Sequence, residues 1–147
     1  MISKILVGYD GASSAERALE FGLDLAEKFG AEVVIVNVFE LPVYGAPDDP
    51  LAVTEGLSGL IKDLRAAHEG ILSKGVQKAA QLKPNLKVVS QLMEGNPAEQ
   101  IVEAAKDGSF DIVVVGHGGE SRVREMFLGG TSERVAHLAR CAVLIVK

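Results

Sequence analysis

The hydrophobic positions of this chain fall into two alternating rhythms. Unbroken apolar runs such as Ile5-Leu6-Val7 and Val33-Val34-Ile35-Val36 are separated by longer stretches in which apolar residues recur every three or four positions. A branched apolar run without polar alternation predicts a strand buried on both faces, as in a parallel sheet. The three-to-four spacing predicts amphipathic helices. Strands are therefore expected at 4–9, 32–39, 87–93, 111–116 and 142–146. The first helix should open on Ser13 and Glu16, a capping-box pair. Its inner face is Ala15, Ala18, Leu19, Gly22, Leu23 and Ala26, and Gly30 ends it. From Leu57 to Leu82 helical spacing continues without a break, through His68, Ile71, Leu72, Gly75 and Ala79, and predicts one long helix that stops before Pro84. His68 falls on its apolar stripe, where a packed or boundary histidine is expected rather than a ligand. Residues 40–56, with Pro42, Gly45, Pro47 and Pro50, are expected to form the longest irregular segment.

A third helix is predicted from Asn96 as cap and Pro97 as first position, with Ile101, Val102 and Ala105 inward and Gly108 at its close. A fourth covers roughly Ser132 to Ala139. The resulting order, β-α-β-α-β-α-β-α-β, predicts an α/β fold with a parallel sheet and helices on both faces, as one domain over residues 1–147. Ligands of such sheets sit beyond the carboxyl ends of the strands. If the first and fourth strands are neighbours, Asp10 and Gly116 face each other across that crevice.

Composition narrows the field. A chain of 147 residues, 48% hydrophobic, buries a core without disulfides or metals. Its net charge of −5 comes with no basic stripe, so nucleic acid is not an expected partner. The single cysteine, Cys141, makes no internal bridge and reads as a small buried hydrophobe in a reduced compartment. The amino-terminal apolar run is too short for a signal peptide, and no stretch reaches the roughly 18 apolar residues of a membrane span. No membrane partner is expected, and the expected address is the cytoplasm.

The most informative segment is Gly116 to Ser132. Glycines at 116, 118 and 119 follow a strand, and glycines at 129 and 130 stand at the mouth of a helix. Glycine lets backbone approach a ligand closely, and the amides of a helix start offer unpaired donors, so the two together suit a phosphate. A surface loop rich in turn glycines reads the same way by glycine count; its place between a buried strand and a helix favours phosphate. The segment is neither a Walker A loop nor the dinucleotide fingerprint. Asp10 is either a turn former or a ligand contact, and its charge suits sugar hydroxyls rather than phosphates. Arg122 and Arg124 are within reach of phosphates or pair with Glu120 and Glu125. His117 has no visible partner and reads as a solvated loop residue. No nucleophile–base pair and no metal-ligand cluster stands out, so fast catalysis is not expected.

The spacing Gly116, two residues, Gly119, nine residues, Gly129 resembles the ATP-binding signature of the universal stress protein family. Ile5-Leu6-Val7-Gly8-Tyr9-Asp10-Gly11 is similar to the family's opening strand and aspartate, Gly95-Asn96-Pro97 to its third-helix entry, and Ser132-Glu133-Arg134-Val135 with Ala142–Val146 to its ending. The resemblance implies a Rossmann-like three-layer sandwich with five parallel strands in the order 3-2-1-4-5 and four helices. It implies a stress-response module that binds ATP, ADP or AMP, with or without Mg, and hydrolyses it slowly or not at all. Asp10 would meet the ribose or adenine, Val38 would line the adenine pocket, and Gly8 and Tyr9 would flank the base. Val115, Gly116, Gly118 and Gly119 would wrap the ribose and inner phosphates, and Gly129, Gly130, Thr131 and Ser132 the outer ones. The resemblance also implies a homodimer through the edge strand Ala142–Val146. One departure stands out: the family has Ser or Thr after the third signature glycine, and this chain has Gly130. The family includes members that do not bind ATP and act through protein contacts. An ATP pyrophosphatase is disfavoured, because Tyr9-Asp10-Gly11-Ala12-Ser13-Ser14 does not match the loop of those enzymes.

Overall fold

The branched strands carry two apolar faces each, and both are covered. The computed structural model of the chain describes residues 1–41, 50–118 and 130–147, the side chains of 50–55 excepted. In β1 (Lys4–Gly8), Ile5 and Val7 join one core and Leu6 the other. In β2 (Glu32–Phe39), Val33 and Ile35 share the first core while Val36 enters the second. The remaining strands are β3 (Val88–Glu94), β4 (Ile112–Gly116) and β5 (Ala142–Val146). All pairings are parallel, and the order is β3-β2-β1-β4-β5. This is the expected Rossmann-like order, with β1 and β4 adjacent at the point where the chain reverses its direction of growth.

Helices α1 (Ser13–Phe29) and α2 (Pro50–Leu82) cover the first core. Helices α3 (Pro97–Asp107) and α4 (Gly130–Leu138) cover the second. The buried face of α1 is Ala15, Ala18, Leu19, Gly22, Leu23 and Ala26, as its periodicity predicted. Gly30, at φ 67°, ends it in the left-handed conformation that glycine adopts at no steric cost. Asn96 caps α3, its side chain accepting from the Glu99 amide at 3.1 Å. Cys141 is half-buried against the second core, and burial pushes its thiol up.

Several boundaries differ from expectation for local reasons. Strands β1, β3 and β4 shift by a residue at their ends. No capping box forms at Ser13, because Ala12 is the cap residue and makes no side-chain cap bond. The Glu16 carboxylate turns instead to the Tyr9 hydroxyl and to Lys78, partners that offer charge-assisted bonds. Helix α2 starts at Pro50, inside the stretch expected to be irregular. Proline suits a first helical turn, where its missing N–H would have no partner. Residues 42–49 of that stretch lie outside the described residues. Helix α4 also starts early, at Gly130 rather than Ser132.

Candidate functional site

Crossovers on both faces leave a cleft of about 840 Å³ beyond the carboxyl ends of β1, β2 and β4. The starts of α1, α3 and α4 complete its walls. Gly8, Tyr9, Asp10, Val38, Val115, Gly116, Gly118, Gly130, Thr131 and Ser132 all line it. Asp10 and Gly116 share the crevice, as adjacency of β1 and β4 requires. Gly119 and Gly129 lie outside the described residues, as do Glu120, Arg122, Arg124 and Glu125.

At the β1–β2 side, the turn after β1 is tied down by side chains. The Asp10 carboxylate accepts from the Ala12 amide at 3.0 Å, an Asx-type turn. Both backbone polar groups of Tyr9 are engaged: its amide donates to the Val36 carbonyl at 2.8 Å, and its carbonyl accepts from Asn37 Nδ2 at 2.8 Å. The Tyr9 ring is 4% exposed and packs on Gly75 of α2, where a Cβ would sit 2.8 Å from it. Its hydroxyl donates to Glu16, so Tyr9 gives the cleft a wall rather than a hydroxyl. Burial and the neighbouring Glu16 carboxylate push the phenol well above its ordinary range. Burial also acts to raise Glu16, but hydrogen bonds from Lys78 and Tyr9 outweigh it and hold that carboxyl low.

The β4–α4 side is built from backbone and hydroxyls. Gly116 lies under the first turn of α1: a Cβ there would meet the Ser14 carbonyl carbon at 2.6 Å and the Ala15 nitrogen at 2.8 Å. This glycine is required by helix–strand packing, whatever else it does. Gly118 adopts φ 75°, a conformation open to glycine, and its amide donates to Ser14 Oγ at 3.2 Å. The Ser132 hydroxyl donates to the His117 carbonyl at 3.1 Å, fastening α4 to the loop after β4. Ser132 is 2% exposed, whereas Gly130 and Thr131 at the helix start are exposed. His117 continues the β4–β5 ladder, its amide donating to Val146 at 2.7 Å.

Some lining residues are not legible as site residues in the sequence. They are Asn37, Glu40, Asn96, Arg134 and the apolar floor of Val36, Ala98 and Ile101. Asn37 had a signal: it is the one polar interruption in Val-Ile-Val-Asn-Val-Phe, and it is 1% exposed. Among the described lining residues the carboxylates are Asp10 and Glu40, both on the β1–β2 side, and the cation is Arg134 on α4. Arg134 pairs with Glu99 of α3 at 3.1 Å across an exposed rim, a contact of small energy that a ligand can displace. The cleft is thus anionic at one side. At the other it offers an arginine and the start of helix α4, the end of a helix that carries partial positive charge. Among the described residues no group of three or more His, Cys, Asp or Glu side chains is arranged to hold a metal. No helix among them is long and apolar enough to cross a membrane.

This architecture is shared with known proteins. The chain is 34% identical to the universal stress protein in the QAH/OAS sulfhydrylase 3′ region of Thermus aquaticus, with all of both chains covered. It is 32% identical to universal stress protein MJ0531 of Methanocaldococcus jannaschii, covering all of this chain and 83% of that one. Universal stress protein UspA from Lactobacillus plantarum superposes with a TM-score of 0.82 over 99% of this chain and 97% of that one, at 24% identity. A universal stress protein solved in complex with cAMP superposes at 0.72, with 24% identity, over 99% and 97% of the two chains. A family member from Arabidopsis thaliana with AMP bound superposes at 0.65, with 19% identity, over 99% and 91%. The profile of the Universal stress protein family matches residues 1–147, and with the sheet order, the cleft and these relatives it shows that the chain belongs to that family.

Proposed function

We propose that the cleft binds ATP or a close relative, ADP or AMP, with or without Mg, and that the protein serves in the cytoplasm as a nucleotide-dependent stress-response module with slow or no hydrolysis. The observation that carries this reading is the polarity of the cleft. Asp10 and Glu40 stand on one side, and the α4 start with Arg134 stands on the other. A carboxylate accepts from sugar hydroxyls and repels phosphate, while helix-start amides and arginine attract phosphate. A nucleotide therefore lies with its ribose at Asp10, its base along Gly8, Tyr9 and Val38, and its phosphates toward Gly116, Gly118 and α4. The family resemblance assigns Gly119 and Gly129 to the phosphates as well; both lie outside the described residues. The volume of about 840 Å³ is within the range of small-molecule sites, roughly 300–1,000 Å³. The cAMP and AMP carried by two structural neighbours fit the same class of ligand. Calorimetry with ATP, ADP and AMP is the test: affinity should rise with phosphate count, and no heat at millimolar ATP overturns the proposal.

One observation favours a second reading, a family member that acts as a protein-interaction module without ATP. Gly130 lacks the family's hydroxyl, and the Ser132 hydroxyl is already donated to His117, so replacement falls to Thr131 alone. Mass spectrometry of nucleotide released from freshly purified protein separates the two.

We also propose a homodimer through β5. Among the described residues this strand pairs with β4 alone, and its apolar run Ala142–Val146 has no proline or charge to blunt its edge. Antiparallel pairing of two such edges about a two-fold axis closes the assembly. A monomer by sedimentation at micromolar concentration overturns it.

A further inference from the structure

One stripe of α2 holds the turn that carries Asp10. His68, Ile71, Gly75 and Lys78 recur at helical spacing and share a face. Lys78 reaches Glu16, the partner of the Tyr9 hydroxyl, at 2.6 Å. Gly75 receives the Tyr9 ring, and Ile71 lies 3.3 Å from where a Gly11 Cβ would be. The fourth contact reaches the backbone itself. Asn37, 1% exposed, donates from Nδ2 to the Tyr9 carbonyl at 2.8 Å, and its Oδ1 lies 2.7 Å from His68 Nδ1.

Chemistry leaves no freedom in this chain of bonds. A backbone carbonyl only accepts, so the amide nitrogen of Asn37 must face Tyr9. Its oxygen then faces His68, and Nδ1 must carry the proton that fills that bond. The imidazole is held in turn by the Phe39 ring, stacked at 5.3 Å between centroids and 28° between planes. The Tyr9 carbonyl belongs to the peptide that leads into Asp10, whose carboxylate has the Ala12 amide as its one hydrogen-bond partner among the described residues.

We infer that His68 is a positioning residue for the ligand: through Asn37 and the Tyr9 carbonyl it sets the orientation of the Tyr9–Asp10 peptide, and so aims the Asp10 carboxylate at the hydroxyls of a bound ribose. The inference rests on the nucleotide reading of the cleft and adds a dependence on α2, none of whose described residues lines it. His68 itself does not line the cleft, so its effect on a ligand is carried by the two hydrogen bonds.

The experiment compares ATP with 2′,3′-dideoxy-ATP on wild type, His68→Ala and His68→Asn, each checked for fold by circular dichroism and thermal melting. Asparagine places an amide nitrogen where Nδ1 stood and restores the donor. Wild type should favour ATP over the dideoxy compound by about thirtyfold, the scale of a hydrogen bond to a charged group. His68→Ala should lose most of that preference by weakening ATP alone, and His68→Asn should recover it. An equal loss for both nucleotides in His68→Ala, or an unchanged ratio, overturns the inference and leaves the nucleotide reading standing. A wild type that binds both nucleotides equally overturns it as well, by removing Asp10 from the ribose. If wild type binds neither, both the inference and the nucleotide reading fall.

Discussion

The two sides of the cleft are built from different materials. The Asp10 side is held by side chains from three elements, with Asn37 on β2, His68 on α2 and Glu16 on α1 meeting around Tyr9. The Gly116 side is held by backbone and small hydroxyls, with Ser14 on Gly118 and Ser132 on His117. The first kind of wall specifies the direction of one acceptor. The second brings several amides close to a surface without specifying any side chain. A nucleotide asks for this division, because a ribose hydroxyl needs one well-aimed partner and a phosphate needs many approximate ones.

The sharpest way to break the contrast is to put a side chain where only backbone fits. Gly116→Val would drive Cβ into the Ser14 and Ala15 backbone, which cannot move aside without unwinding the start of α1. Overpacking of this kind should cost about 3 kcal/mol of stability and remove ATP binding with it. Urea denaturation reads the first effect and calorimetry the second. Unchanged stability would mean that α1 and β4 are not in this contact.

Asp10→Ala tests the opposite wall. The carboxylate faces the cleft and buries little, so the fold should survive with only the Ala12 turn bond lost. ATP, ADP and AMP should each bind more weakly by about 2 kcal/mol, since a hydrogen bond to a charged group is worth roughly 1.5–3 kcal/mol and all three share the ribose. A loss that grows with phosphate number would place Asp10 at the wrong end of the ligand.

How much of this was legible beforehand follows the same division. Contiguous features could be read directly: the branched cores of β1, β2 and β4, the apolar face of α1, the Asn96 cap, and the place of Gly116, Gly118 and Gly130 at the cleft. Features made by crossovers could not. Asn37 and His68 are separated by 31 positions and meet only because α2 packs across β2. Arg134 joins the cleft because α4 lies beside α3, and nothing local marks it. The capping box failed for a similar reason, since Glu16 found Lys78 from 62 residues away rather than the nearby amide. His68 was readable as a packed histidine but not as one whose packing reaches a residue of the cleft wall.

The Gly130 departure provides a test in the direction of gain. Among the described residues no heavy atom lies within 4 Å of where a Gly130 Cβ would sit, so Gly130→Ser displaces none of them. It adds the hydroxyl that the family pattern carries at this position. ATP should bind more tightly by about 1.5 kcal/mol, the low end for a hydrogen bond to a charged group, and AMP should be unaffected if the outer phosphates are what the hydroxyl meets. Equal gains for ATP and AMP would place the contact at an inner phosphate instead.

The smallest effect separates the two walls by their response to acid. The Asp10 side leans on Glu16, whose folded value lies below its ordinary 4.5, so its contribution is full above pH 4.5 and fades as pH falls through the folded value. Lys78 is shifted the other way. Burial lowers it but Glu16 and Glu20 outweigh that, so its folded value is above 10.5 and its contribution fades only as pH rises through that value. The Gly116 side has the neutral bonds of Ser14 and Ser132, which do not titrate. Acid should therefore loosen the Asp10 turn before the Gly116 loop. Global acid loss has other contributors, since Asp111, also held below its ordinary 3.8, binds the Ser3 and Lys4 amides at the far end of the sheet. The comparison must be local: hydrogen-exchange protection at Tyr9, whose amide donates to the Val36 carbonyl, against that at His117 and Gly118, between pH 7 and pH 3, in wild type and in Glu16→Gln. Wild type should lose protection at the turn by less than about 1 kcal/mol, the scale of a partly exposed pair. Glu16→Gln should already be loose at pH 7 and change little on acidification. Equal loss at both walls in wild type would show that the Glu16 network supports the whole cleft rather than the Asp10 side of it.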